Sequence, residues 1–240
     1  MQTVGVGIIA RNSEKTIKEC IESFITHVDQ CVVVEAGKST DNTHSILEGL
    51  KHKYSNLQTC VFEWCDDFSA ARNYSFSKLK TDWLFWCDSD DTVYQPENLR
   101  KLANEMPDEV GCIWFSYHYG LDEYGNVTTK YERERLLRAK YGWVWRSRVH
   151  ETVSPLNTCK FVRADNVILV HHPHGGDRGE RNFRILYKMM EESPEDRRIW
   201  LYLGHQHFAC QEYLKAAEWY LKFSSDKNVA PLEKYQALCY

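Results

Sequence analysis

Val4–Ala10 is an unbroken run of apolar and glycine positions at the start of the chain, the pattern of a strand covered on both faces. Ile17, Cys20, Ile21 and Phe24 follow at helical spacing, with Asn12–Ser13 placed to cap that helix. The alternation then repeats. Cys31–Val34 reads as a second buried strand ending at Glu35, and Ser39-Thr40-Asp41 as the cap of a helix carrying Ile46, Leu47 and Leu50. Thr59–Glu63 reads as a third strand and Phe68–Leu79 as a helix with Ala70, Ala71 and Phe76 inward. Trp83–Cys87 is a fourth strand that runs straight into Asp88-Ser89-Asp90-Asp91. Strands alternating with helices predict βαβ units, an α/β fold and a mostly parallel sheet. Ligands of such sheets collect beyond the carboxyl ends of the strands. The polar clusters Glu35–Asp41, Asp66-Asp67 and Asp88–Asp91 fall there.

From Gly111 to Val170 the pattern is strand-rich and aromatic, with Cys112–Tyr119, Arg135–Arg138 and Val167–Val170 as candidates. After Pro194 it turns helical. Trp200, Leu203, Gly204, Phe208, Ala216, Ala217, Tyr220 and Phe223 fit two helices joined near Cys210–Glu212, in the tetratricopeptide order of tryptophan, leucine-glycine, alanine and aromatic. Pro231–Tyr240 reads as the opening helix of a second repeat. One repeat cannot bury its own face, so these helices are expected to continue, to pack back on the preceding domain, or to pair as a homodimer. The expected division is a Rossmann-like domain over residues 1–190 and a helical hairpin tail over 191–240.

Composition narrows the class. With 43% apolar and 27% charged residues the 240-residue chain is ordinary globular protein. No apolar run approaches the roughly 20 residues of a membrane span. Met1–Ala10 lacks a basic leader, so the cytoplasm is the expected location. The nine cysteines form no CxxC pair, which argues against a zinc knuckle or disulfide framework and for buried thiols. The net charge of −4 divides into −7 over residues 1–110 (11 basic, 18 acidic) and +3 over 111–240 (19 basic, 16 acidic). Lys130–His150 holds seven basic and two acidic residues. That stretch is either a solvated face or a contact surface for an anionic donor or acceptor.

Four clusters carry candidate chemistry. On extended backbone Asp88 and Asp90 would point to one side, and two carboxylates there suit a hard divalent cation. In Asp66-Asp67-Phe68-Ser69-Ala70-Ala71-Arg72-Asn73, Asp67 would cap a helix, and Arg72 would pair with Asp67 or reach a phosphate. Arg148-Val149-His150-Glu151 sets histidine beside glutamate, a pairing suited to general base work or to a plain ion pair with Arg146 or Arg148. The dense histidines of His171-His172-Pro173-His174-Gly175-Gly176-Asp177 suggest a metal ligand.

Taken in order, the segments VGVGIIA, EAGKSTDNT, DDFSAARN, WLFWCDSDD, RVHE and VHH resemble glycosyltransferase family 2 over roughly residues 3–175. Within it the chain is similar to the branch with tetratricopeptide repeats, which includes bacteriocin peptide S-glycosyltransferases. The resemblance implies a GT-A fold and an inverting transfer from a nucleotide diphosphate sugar, a UDP-sugar by preference. Mn²⁺ or Mg²⁺ would assist, and the acceptor would be a protein, peptide or glycan. By the same resemblance Asp88, Asp90 and His172 would hold the metal. Ala10, Arg11, Glu35, Asp67, Arg72, Asp88 and Ser89 would line the nucleotide-sugar pocket, and Glu151, or His150 with it, would act as base. Glu35 stands where the family has aspartate, and Lys38 lies in an insertion, so the loop must shift for the longer side chain. Two alternatives remain from the residues themselves. One is a DNA acceptor carrying a modified base, tracked by the basic stretch and stacked on Tyr141, Trp143 and Trp145. The other is a non-catalytic helical-repeat scaffold.

Overall fold

The computed structural model describes residues 1–173 and 178–239. Strands β1 (Val4–Ala10), β2 (Gln30–Ala36), β3 (Leu57–Phe62) and β4 (Trp83–Trp86) run parallel in the order β3-β2-β1-β4. Helices α1 (Ile17–Glu22), α2 (Thr43–Lys53) and α3 (Phe68–Lys78) connect them. The chain then forms β5 (Asp91–Tyr94), α4 (Glu97–Glu105), β6 (Val110–Leu121), β7 (Val127–Arg138) and β10 (Lys160–His171). These strands extend the sheet to β3-β2-β1-β4-β7-β6-β10-β5. Among the described residues four of its seven pairings are parallel; β4·β7, β6·β7 and β10·β5 are antiparallel. Strands β8 (Trp143–Arg146) and β9 (Thr152–Pro155) make a separate antiparallel ribbon. The expected α/β, mostly parallel sheet is therefore present.

The two-residue alternation of the strands divides the apolar residues between the faces. Val4, Val6 and Ile8 join Phe24, Leu47, Phe85 and Phe115 on one side, while Ile9, Val32 and Val34 join Ala71, Phe76, Trp86 and Trp145 on the other. Gly7 is the point of closest approach of α3: a Cβ there would lie 2.8 Å from Ser75 Oγ.

Several local expectations change. Asn12–Ser13 does not cap α1 through a side chain; Thr16 is the N-cap, and the Ser13 carbonyl accepts from the Thr16 and Ile17 amides. Strands β7 and β10 outrun their predicted cores through outer portions that are mostly polar or exposed, and β6 extends two residues beyond its predicted core at each end. Strand β5, helix α4 and the β8–β9 ribbon add to the predicted elements; β5 and the ribbon strands are four residues each, too short to show a period. Only four of the nine cysteines are buried, with Cys65, Cys210 and Cys239 exposed.

The chain forms two compact units. The first holds Met1–Ser147 and the described strands that follow from Glu151; the second holds Arg148–His150 and the C-terminal helices. Those helices are α5 (Arg178–Glu192), α6 (Arg197–Ala209), α7 (Tyr213–Ser225) and α8 (Pro231–Leu238). The predicted hairpin is thus α6–α7 within four helices, and the boundary expected at residue 190 falls inside α5. Trp200, Ala216, Tyr220, Phe223, Val229 and Ala237 form this unit's core. Gly204 permits the α6–α7 approach, since a Cβ would lie 2.5 Å from Tyr220 Cε1. Helix propensity alone favours alanine over glycine by about 1 kcal/mol. Gly204→Ala is nonetheless expected to destabilise the helical unit by about 1–2 kcal/mol through overpacking, read as a lower midpoint in urea.

Candidate active site

The site begins where β4 ends. Asp91 N–H donates to the Asp88 carbonyl at 3.0 Å, so the chain turns into β5 instead of continuing extended. The two-residue alternation assumed for Asp88 and Asp90 therefore fails, and the two side chains have different partners.

Asp88 meets Arg72, whose Nη2 donates to Asp88 Oδ1 at 2.6 Å. The same guanidinium donates through Nε to Glu151 Oε1 at 2.7 Å. Arg72 is buried on α3, and its Cζ lies 4.8 Å from the ring centroids of both Trp86 and Trp145. Each polar residue of the Asp67–Asn73 segment has a task. Asp67 Oδ1 caps α3 by accepting from Ala70 N at 2.9 Å and from Ser69 Oγ at 2.7 Å. Arg72, just beyond that first turn, forms its ion pairs with Asp88 and Glu151, where the sequence suggested Asp67 or a phosphate. Asn73 pins the ribbon by exchanging two hydrogen bonds with the Trp145 backbone, at 3.0 and 2.9 Å.

Burial opposes the charge on Arg72, but the Asp88 and Glu151 carboxylates outweigh it and hold the guanidinium above its ordinary range. Burial likewise pushes Asp88 up; Arg72, then Arg135, outweigh that and hold it at about 2.

A second cluster lies at the β5–β10 pairing. His171 sits opposite Asp91 in the antiparallel register. Its Nδ1 is 3.6 Å from Asp90 Oδ1 and 3.5 Å from Asp91 Oδ1, and all three residues are buried. Asp91 is fixed by Tyr117 Oη–H donating at 2.8 Å, by the Asp88 amide at 3.0 Å and by Arg135 Nη1 at 3.4 Å. Arg135 is fully buried, with Cζ 3.7 Å from the Trp86 ring centroid and 4.4 Å from that of Tyr117. Burial pushes His171 down, but Asp91 and then Asp90 overcome it and raise its pKa. Among the described residues, His171 Nδ1 has no hydrogen-bond partner. Two carboxylates and an imidazole, with ligand atoms all within 4.8 Å, fit a divalent cation. Ligand atoms at neighbouring positions around such an ion lie about 3 Å apart, so a small contraction would seat it.

The sequence reading put the ion on Asp88, Asp90 and His172. The structure gathers Asp90 with Asp91 and His171 instead. Asp88 is engaged by Arg72, and His172 Nε2 lies 2.8 Å from Thr92 Oγ1 while its amide donates to the Asp90 carbonyl at 2.7 Å. His171 is the last residue of β10, and His172 lies just beyond the strand. His174, Gly175, Gly176 and Asp177 of that histidine-rich segment lie outside the described residues.

Of the residues expected to line a nucleotide, Ala10 is buried at the end of β1 and Arg11 beside it is exposed. Glu35, buried near the end of β2, has Oε1 2.7 Å from His44 Nδ1, and this contact raises the pKa of His44. Ser89 Oγ lies 2.8 Å from Ser13 Oγ. Ala10, Glu35, Asp88 and Ser89 thus line the carboxyl ends of the neighbouring strands β1, β2 and β4. Glu151 meets Arg72 in the first unit. His150 adopts φ 54° and stacks on Tyr202 with ring centroids 4.1 Å apart, both residues belonging to the second unit.

The basic stretch is divided: Lys130, Lys140 and Arg146 are exposed, Arg133, Arg148 and Tyr141 are half-buried, and two of its arginines turn inward. Arg135 and Arg138 are buried; Arg138 pairs with Asp108 at 2.7 Å and lies over Trp83. Trp143 and Trp145 are buried as well. Asp91 and His171 belong to clusters already marked in the sequence, whereas Tyr117 and Arg135 do not stand out there.

Residues 5–165 match the family described as glycosyl transferase family 2. The SPbeta prophage-derived glycosyltransferase SunS of Bacillus subtilis (strain 168) is 25% identical over 218 residues, covering 85% of this chain and 49% of that protein. A TPR repeat-containing protein of Synechococcus elongatus is 27% identical over 238 residues, covering 92% and 56%. The chain therefore spans about half the length of the curated relatives it matches. In fold it is similar to glucosyl-3-phosphoglycerate synthase from Mycobacterium tuberculosis, solved with Mn²⁺, UDP and phosphoglyceric acid. That similarity has a TM-score of 0.52 at 13% identity and covers 79% of this chain and 78% of the other. Among the described residues no helix is long and apolar enough to cross a membrane.

Proposed function

This chain belongs to glycosyl transferase family 2, and on that basis we propose that it transfers a sugar from a UDP-sugar to a protein, peptide or glycan acceptor by a single inverting displacement. The observation that carries this reading is the Arg72 bridge. One buried guanidinium ties Asp88, at the end of a central parallel strand, to Glu151. A donor-side carboxylate and a candidate base are thereby held on one rigid group. The Mn²⁺ and UDP bound by the mycobacterial fold neighbour support the choice of donor and cofactor.

Asp90 and His171 would hold Mn²⁺ or Mg²⁺, with Asp91 behind them, fixed by Tyr117 and Arg135. A bound divalent cation supplies Lewis-acid stabilisation of the departing diphosphate. Ala10, Arg11, Glu35 and Ser89 would line the nucleotide, and Asp67 would order the helix that presents Arg72. Glu151 would accept the proton of the attacking hydroxyl or thiol. Arg72 would keep that carboxylate aimed. We assign the transfer chemistry to residues 1–190 and a tetratricopeptide-like role to 191–240.

The reading is tested with Mn²⁺ and UDP-sugars. Wild-type protein is expected to hydrolyse a UDP-sugar slowly and to melt at higher temperature when Mn²⁺ and UDP are added together. Asp90→Ala should lose Mn²⁺-dependent turnover by about 100-fold or more, as expected for a cation worth several kcal/mol in the transition state. Undiminished Mn²⁺-dependent turnover in the variant would remove Asp90 from the metal site.

A further inference from the structure

Glu35 and His44 form a pair that neither the cation chemistry nor the proton-transfer chemistry uses. Glu35 stands near the end of β2, opposite Ala10 of β1 in the parallel register. Its side chain is buried, with 7% of its surface left open. His44 Nδ1 lies 2.7 Å from Glu35 Oε1, and among the described residues Oε2 has no hydrogen bond. A carboxylate can only accept, so the proton of this contact belongs to Nδ1. The place of His44 is fixed from behind. The Thr40 and Asn42 amides donate to Asn12 Oδ1 and Glu14 Oε2 at 2.8 and 3.0 Å, and the Ser13 amide donates to Thr43 Oγ1 at 2.7 Å. The residue before His44 is thus pinned to the loop that follows β1. Local structure gives no reason for a histidine here, because the first turn of a helix favours acidic side chains over basic ones. The contact with Glu35 supplies the reason.

We propose that His44 is a positioning residue that fixes Glu35 to read the nucleobase of the donor, and that the pair thereby selects uracil over cytosine; this rests on the UDP-sugar reading and names what sets its base. A glutamate side chain has three torsions, and ordering them opposes binding. With Oε1 held by His44, the direction of Oε2 is set before the nucleotide arrives. Oε2 can only accept. The imide N–H of uracil donates to it, whereas the ring nitrogen of cytosine at the same place offers a lone pair to the carboxylate. The wrong base therefore leaves a buried polar group unpaired, which discriminates more strongly than a difference in size. Glu35 is also one methylene longer than the aspartate of the family at this place. A longer arm needs a second anchor to deliver one oxygen to a fixed point, and His44 is that anchor.

The test is calorimetric affinity of the full chain for UDP and for CDP, each with Mn²⁺, with UDP-sugar turnover and urea midpoints on the same preparations. Wild type is expected to bind UDP about tenfold or more tightly than CDP. His44→Ala should weaken UDP binding by about three- to tenfold, the worth of one net hydrogen bond, and CDP binding by less, so that the ratio narrows. In turnover the loss should appear as a raised KM with kcat within about twofold of wild type. His44→Asn should recover most of the UDP affinity, because its amide N–H stands where the imidazole Nδ1–H stands. The urea midpoint of His44→Ala should stay near that of wild type, since the His44 side chain is 64% exposed. Equal binding of UDP and CDP by the wild type, an unchanged ratio in His44→Ala, or an asparagine variant no better than alanine would each overturn the proposal. Absence of UDP binding by the wild type would instead overturn the donor reading beneath it.

Discussion

Arg72→Met is expected to remove activity and a large share of stability together. The substitution keeps the volume between Trp86 and Trp145 but leaves Asp88 and Glu151 without the cation they share. Breaking one side of a buried ion pair costs about 3–5 kcal/mol; because the Asp88 side chain is one-third exposed, the low end, about 3 kcal/mol, applies here after solvent screening. UDP-sugar turnover should fall by about 100-fold or more, because a misplaced base loses its proton-transfer advantage. The pH dependence identifies the cause. In the wild type Asp88 is held at about 2, below the roughly 4 of an unfolded aspartate. Its contribution is complete above about pH 4 and is lost as pH falls towards 2. Urea midpoints measured between those values should slope steeply in the wild type and more shallowly in Arg72→Met. Arg72→Lys should recover part of the stability and little of the turnover, because an ammonium cannot present the same planar fork to two carboxylates. Full activity in the lysine variant would show that charge alone suffices.

Glu151→Gln should have the larger effect on chemistry and a smaller one on folding. The amide still accepts a hydrogen bond from Arg72 Nε at the position of Oε1, now 2.7 Å away, yet it cannot take a proton. Loss of a positioned general base lowers turnover by about 10²–10⁴-fold. UDP affinity should be nearly unchanged, so the loss belongs to kcat and not to donor binding. Steady-state turnover and calorimetric UDP affinity on the same preparation make the distinction. His150→Ala is the control, since His150 is engaged with Tyr202. A severe loss there with a mild one in Glu151→Gln would exchange their roles.

The α/β order was legible because burial imposes simple periods on residues near one another. Val4–Ala10 appears as read, and β2, α3 and β4 fall within two residues of their predicted ends. The six-residue α1 and four-residue β5 were harder, since each is stabilised by tertiary neighbours more than by its own pattern. Asp67 as a cap could be read because capping is local. The partners of Arg72 could not: they lie 16 and 79 positions away.

Which residue types gather at the carboxyl edge of the sheet follows from the linear order of the chain. They are the acidic turn after Trp83–Trp86, the capped helix bearing Arg72, and a glutamate and histidines far downstream. Linear order suffices there because strand and helix periods are short-range consequences of burial. Which of these side chains meet is settled only in three dimensions. The Asp88–Asp91 turn broke the assumed alternation, and the antiparallel register set His171, not His172, opposite Asp91. A one-residue change of register turns a side chain to the other face of a sheet, and register between β5 and β10 is a property of two segments about 80 residues apart, on which neither segment alone carries information.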